Sequence, residues 1–262
     1  MNAVLGILLG AVAVVAGGIA AVTGFGIGSL LTPTLATQTG TKLAVAAIAV
    51  PHFVGTAQRF WILRRHVDRR VLLGFGLASA LGGLAGALLH ARASSRGLTA
   101  VFGIVVLLAG IAELTGWIGH VRWGRRAAWI AGILSGGLGG LVGNQGGIRS
   151  AAMLGFDVPK ESFVATATAI GLFVDGARLP VYLATEWRSI VGLWPLLLVA
   201  TFGVVTGTAL GTRLLGHLPP RTFRRIVAVL LVGLGIYMLA AGRAQQDREH
   251  GARPTAAARA AT

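Results

Sequence analysis

Two short runs decide how this chain folds: Thr23-Gly24-Phe25-Gly26-Ile27-Gly28-Ser29, with Pro33 close behind, and Gly143-Asn144-Gln145-Gly146-Gly147-Ile148-Arg149. Each interrupts an apolar stretch. Glycine adopts backbone conformations that other residues resist, so a helix entering such a run unwinds there. The unwinding exposes amides, carbonyls and helix ends that carry partial charge. A shift of 119 positions lays Gly17, Gly18, Gly24 and Gly28 over Gly136, Gly137, Gly143 and Gly147, and Arg59 over Arg178. With small gaps, Gly82 and Gly86 match Gly203 and Gly207, Arg96 matches Arg221, and Gly110 matches Gly235. The pattern reads as an internal duplication with one glycine break in each half.

Outward from the breaks, composition sets the solvent. Of 262 residues, 55% are hydrophobic and 12% charged, arranged in apolar runs near the ~20 residues a helix needs to cross a ~30 Å hydrocarbon core. This is the composition of an integral membrane protein. The formal charge of +15 would suit nucleic acid, but the arginines cluster in short connections between apolar runs, where topology signals sit. No nucleic-acid motif and no basic amphipathic helix accompanies them. The chain has no cysteine, which excludes disulfides, thiol catalysis and iron–sulfur chemistry. Its six histidines (His52, His66, His90, His120, His217, His250) form no close pair at metal-ligand spacing, so neither a metal nor another cofactor is expected. No Lys or Arg precedes Lys42, so residues 4–22 read as a retained first span rather than a cleaved leader.

The fold expected is all-α and membrane-embedded, with about eight transmembrane helices and two short glycine-broken half-helices. Residues 1–118 form the first repeat: spans 4–22, 43–63, 71–89 and 98–118, with a half-helix over 28–38. The connection 119–127 follows. The second repeat, 128–242, holds a helix over 128–142, a short segment to Gly155, and spans 162–184, 191–211 and 226–241. The turns are expected at His90–Arg96 and Thr185–Ser189, and an Ala/Arg-rich tail, 243–262, is expected to be disordered. Trp117, Trp123, Trp129, Trp187 and Trp194 fall where interfacial aromatics belong. If the halves are parallel, the loop Lys and Arg divide evenly between the two membrane faces. If each broken segment counts as a crossing, the loops 64–70, 119–127, 155–161 and 212–225 share one face, and only Lys42, Arg92, Arg96 and Arg188 lie on the other. The positive-inside rule favours the second, inverted arrangement.

The break Gly24-Phe25-Gly26-Ile27-Gly28 before Pro33, its counterpart Gly143-Asn144-Gln145-Gly146-Gly147, and Arg64-Arg65-His66-Val67-Asp68 before a glycine-rich span resemble the sulfite exporter TauE/SafE family over roughly residues 3–241. The resemblance implies a duplicated transporter of about eight spans in the cytoplasmic membrane, moving sulfite, organosulfonates and related small anions. Asn144-Gln145 and Arg149-Ser150-Ala151-Ala152 depart from the usual second motif, which leaves the identity of the anion open.

Paired Gly/Pro-interrupted segments in two halves point to a transporter's binding site. The candidate substrate-binding residues are therefore Gly24, Phe25, Gly26, Gly28, Gly143, Asn144, Gln145, Gly146, Gly147 and Arg149, joined by Arg59 and Arg178. The plainer reading of the glycines is close helix packing, and that of Phe25 is core filling. Arg149 lies one turn past its break, where an arginine must find a cavity or a partner, and its planar fork suits a sulfonate or sulfite oxygen pair. Arg178 has Asp175 three residues before it on the same helical face, giving either an internal ion pair or an anion-binding arginine whose charge Asp175 balances. Asp175 is also the first candidate for proton coupling. Arg59 stands five residues before Arg64, which favours snorkelling to the interface. Thr166 and Thr168 are expected to bond backbone within their helix. His52 is a further titratable group near the core, and Glu113 is read as interfacial.

The function expected is secondary transport of a small oxyanion, sulfite or an organosulfonate, by a non-enzymatic protein of the cell membrane, the bacterial cytoplasmic membrane in particular. Its partners are the lipid bilayer and the anion, and a homo-oligomer is compatible with the pattern. The alternatives are a membrane scaffold without transport activity, a membrane-embedded enzyme, which would need buried acid–base pairs, and a carrier of another small solute.

Overall fold

The computed structural model describes residues 3–24, 26–116, 125–143 and 159–214, together with positions 146, 149, 153, 156, 225, 228, 229, 232, 233 and 235–240. All of the regular structure among these is helical. Helix α1 spans Ala3–Thr23, α2 Ile27–Thr39 and α3 Thr41–Leu63. After a 3-10 turn at Arg64–His66, α4 covers Arg69–Arg92 and contains a π-turn at Leu72–Gly76. Then come α5, Ser95–Thr115, α6, Arg125–Val142, α7, Lys160–Gly192, and α8, Trp194–Leu214. Among the described residues six helices (α1, α3, α4, α5, α7 and α8) are long and apolar enough to cross a membrane. The expected count of about eight also included α6, whose apolar stretch Trp129–Val142 is shorter, and 226–241, of which only part is described. The tail lies outside the described residues, as do Trp117 and Trp123.

Three connections differ from expectation. Helix α6 begins at Arg125, inside the expected loop 119–127, because arginine sustains a helix as well as most residues do. The expected turn His90–Arg96 shrinks to Ala93-Ser94. There α4 runs on to Arg92 and Ser94 caps α5 by accepting from the Gly97 amide at 3.2 Å, as N-cap serines do. His90 is fully buried, its Nδ1 lying 2.8 Å from the Leu141 carbonyl. The connection Thr185–Ser189 is not a loop either. It is a kink: helical geometry breaks at Glu186 (φ −124°, ψ 16°), and a second helical segment carries α7 on to Gly192. Polar residues there end the apolar span, and with neither Gly nor Pro the chain kinks without opening into a loop.

Inter-helix contacts give each helix its direction. At one end of the molecule Lys42 Nζ reaches the Ala91 carbonyl at 2.9 Å and Glu186 at 3.8 Å, and the Lys42 amide donates to Ser95 Oγ. The start of α3, the end of α4, the start of α5 and the last turns of α7 therefore share that end. At the other end the Asp68 amide donates to Thr166 Oγ1 at 2.9 Å, joining the close of α3 and the start of α4 to the first turns of α7. Helices α3 and α7, which occupy corresponding places in the two sequence halves, run antiparallel. Thr166 thus tethers a loop instead of bonding within its own helix, and Thr168 Oγ1 has no partner.

Glycines set the closest approaches. Along α1 and α8, Gly10 faces Val199 and Gly17 faces Val204 and Thr208, so the two helices run parallel; a Cβ on Gly17 would overlap the Val204 carbonyl. Along α4 and α6, Gly74 meets the Trp129 ring, while Gly136 meets Ser79 and Gly140 meets Gly83 and Ala87 backbone against backbone, again in parallel. Small residues permit this where lipid supplies no hydrophobic drive between helices. Each half thus lends its first helix to the other half's third long helix.

Candidate functional site

The glycine breaks end α1 and α6 in the same way. Gly24 (φ 80°) and Gly143 (φ 75°) adopt the left-handed region, costly for any residue with a Cβ, and their amides close the last turns on Ala20 and Gly139 at 2.9 and 3.0 Å. Gly26 (φ 126°) then re-aims the chain, so that α2 doubles back beside α1 and returns to the Lys42 end at Gly40. The two breaks meet. A Cβ on Gly28 would lie 2.5 Å from the Gly143 carbonyl and 3.8 Å from the His52 ring, so Gly28 serves close packing as well as the turn. Gly146 is buried and helical, as is Arg149. Phe25, Asn144, Gln145 and Gly147 lie outside the described residues, as does the side chain of Glu113.

Around this junction the structure gathers charges from α3, α7 and the second break. Arg149 is 4% exposed and donates from Nη2 to the Gly24 carbonyl at 3.1 Å. A Cβ on Gly171 would lie 2.9 Å from its Nη1 and 3.5 Å from the Thr56 methyl. Gly171 is therefore the space on α7 that the Arg149 guanidinium fills, with Thr56 alongside. Arg59, also 4% exposed, donates from Nη2 to Thr56 Oγ1 at 3.2 Å. The snorkelling expected of it does not occur. Helical side chains lean toward the helix N-terminus, and for Arg59 that direction leads to Thr56 and His52, away from Arg64 and the interface. In both arginines Nε and Nη1 are buried without a hydrogen-bond partner.

Arg178 is held differently. Its Nε and Nη2 reach Asp175 Oδ1 at 3.0 and 2.8 Å, and its Nη1 donates to the Gly139 carbonyl at 2.7 Å. The internal ion pair foreseen for these two residues is formed. Asp175 Oδ2 takes His52 Nδ1 at 2.7 Å, which ties α7 to α3. One turn after Arg178, the Tyr182 hydroxyl donates to the Gly140 carbonyl. Gly139 and Gly140 stand in the last turn of α6; Arg178 shares the Gly139 carbonyl with the Gly143 amide, and together with Tyr182 it braces the end of the helix that leads into the break.

Sequence reasoning listed His52 among core titratable groups without giving it a partner, and it did not single out Thr56 or Tyr182. The signal for Tyr182 was its i,i+4 spacing from Arg178. For Thr56 it was the 119-residue shift, which lays Thr56 over Asp175. Among the described residues no group of His, Cys, Asp and Glu could hold a metal ion.

Among the described residues, six membrane-length apolar helices together with a set of buried charges mark a multi-pass α-helical membrane protein. A family model described as Sulfite exporter TauE/SafE matches residues 9–238. The chain belongs to the TauE/SafE sulfite exporter family, a family of membrane transporters. Comparison with curated proteins and with solved structures gave no match.

Proposed function

We propose that the chain is a secondary transporter of a small sulfur oxyanion, sulfite or an organosulfonate, held where the two glycine breaks touch. One observation carries this reading. Arg59 and Arg149 converge on Thr56, both almost wholly buried, each with two unpartnered nitrogens and, among the described residues, without a carboxylate of its own. An arginine at membrane depth costs about 3 kcal/mol on insertion scales and more in simulation, and a buried cation left unpaired is more costly still. An oxyanion supplies both the acceptors and the charge. In this mechanism Arg59 and Arg149 contact the anion, and the amides near Gly24, Gly26, Gly143 and the segment Asn144–Gly147 complete its shell. Arg178, saturated by Asp175 and Gly139, positions the end of α6, while Asp175 balances its charge.

The two sequence repeats, 1–118 and 128–242, are inverted in this reading and rock around the fixed site. Its support is the antiparallel run of α3 against α7 and the matched pairings of α1 with α8 and α4 with α6. The end that carries Arg64–Arg70, Arg125, Arg126 and Lys160 then faces the cytoplasm by the positive-inside rule, in keeping with a bacterial cytoplasmic membrane. The test is uptake into proteoliposomes of sulfite, sulfoacetate, taurine, sulfate, thiosulfate and nitrite, with and without a pH gradient. Arg149→Gln should abolish flux of whichever anion moves. If no anion moves, transport by this chain is refuted and a scaffold role takes its place.

A further inference from the structure

We propose, on the basis of the anion-transport reading, that the site selects divalent oxyanions over monovalent ones, and that Arg59 sets this preference. The argument is an inventory of charge among the described residues. Arg178 is neutralised by Asp175 at 2.8 Å, and its remaining nitrogen is spent on the Gly139 carbonyl. Asp175 is the one carboxylate among the described residues that is buried, and its second oxygen is taken by His52. Among the described residues nothing acidic is left for the other two guanidinium groups. Arg59 meets only a hydroxyl, at Thr56, and Arg149 only a carbonyl, at Gly24. Both partners are neutral and both bonds use Nη2, leaving Nε and Nη1 of each arginine without a partner.

Two positive charges thus stand uncompensated beside Thr56. A monovalent anion would neutralise one and leave the other buried, whereas a divalent anion neutralises both. Charge-assisted bonds to a guanidinium are the strong ones, and low local dielectric magnifies the difference. The ligand class that fits is a compact sulfur oxyanion of charge −2, such as the sulfite dianion or thiosulfate, ahead of alkyl sulfonates, which carry a single charge on the same three oxygens. In its neutral form His52 adds no third charge.

Thiosulfate and methanesulfonate separate charge from shape, because both present a pyramidal SO3 group and differ in whether the fourth substituent is a charged sulfur or a methyl. Binding of each to the full chain in detergent at pH 8.5 is measured by titration calorimetry, with monodispersity checked by size-exclusion chromatography. Thiosulfate should bind about tenfold tighter or more, equivalent to at least ~1.4 kcal/mol. Arg59→Gln, which keeps hydrogen-bonding capacity but removes one charge, should shrink that ratio to below about threefold, while Arg59→Lys should preserve it. Equal affinities in the native chain, or an equal loss of both ligands in Arg59→Gln, would overturn the charge selection. Should both ligands bind equally and Arg149→Gln abolish both, the anion site stands and only its valence preference falls. Should neither bind while an anion of the uptake panel still moves, the valence preference falls and the transport reading stands; should neither bind and no anion move, both fall.

Discussion

Asp175 divides its two oxygens between His52 and Arg178, so one carboxylate joins α3 to α7 and holds the arginine that braces the end of α6. Asp175→Asn keeps the shape but strands Arg178 as a buried cation, a change that costs about 3–5 kcal/mol when a buried pair is broken. We predict a markedly lower melting temperature in detergent for this variant, and recovery of most of the loss in the Asp175→Asn/Arg178→Met double variant. A single variant that melts with the native chain would show that the pair holds nothing. The glycines offer a graded series. Gly176 has open space around it, so Gly176→Ala should be neutral or stabilising by up to ~1 kcal/mol. Gly143→Ala must hold φ 75° and should cost about 1–2 kcal/mol. Gly140→Ala would drive a methyl into the Gly83 carbonyl and should be the worst of the three. Melting curves of the set test that order. At this scale the sequence exposed the candidates but not their state. It placed Arg178 beside Asp175 by helical spacing, and it misjudged Arg59 because proximity to Arg64 in sequence says nothing of which way a side chain leans.

At the scale of elements, the broken segment is a hairpin. Helix α1 reaches Gly24, and α2, thirteen residues long and so about 20 Å at 1.5 Å per residue, carries the chain back to the end from which α1 set out. Helices α3, α4 and α5 then make three passes, so a second half built the same way starts from the opposite face. This places His66 at one end and Trp187 at the other. Because the chain has no cysteine, His66→Cys and Trp187→Cys give clean single-cysteine probes. A membrane-impermeant maleimide should label them from opposite sides of sealed vesicles, and labelling of both from one side would reject the inverted arrangement. Element boundaries were legible where glycine punctuates the chain, as at Gly24 and Gly40. One was not legible at His90, where a polar residue sits inside a continuing helix and finds its partner on another one.

Across the whole molecule the two halves are interleaved. The first helix of each packs on a helix of the other through glycine contacts too close to tolerate a methyl group, and the ionic cluster draws Arg59 and His52 from the first half and Asp175, Arg178 and Arg149 from the second. We predict that fragments 1–118 and 119–262, made separately, will not give monodisperse protein in detergent, while their co-expression will yield a complex that co-purifies and elutes as the intact chain does. A monodisperse, helical fragment on its own would show that the repeats fold independently and that the interleaving is incidental.

Composition and local pattern sufficed to establish that this protein lives in a bilayer, where its apolar segments lie, and where its helices must break, because those properties follow from each residue's own transfer energy and backbone freedom. Which charges are paired, which are left waiting, and which way each helix runs were decided only by the tertiary structure. In a membrane the apolar pattern surrounds a helix on most sides, so periodicity cannot tell a lipid-facing surface from a buried one. A guanidinium shows whether it is spent or free only when the carboxylate, carbonyl or empty space beside it is seen.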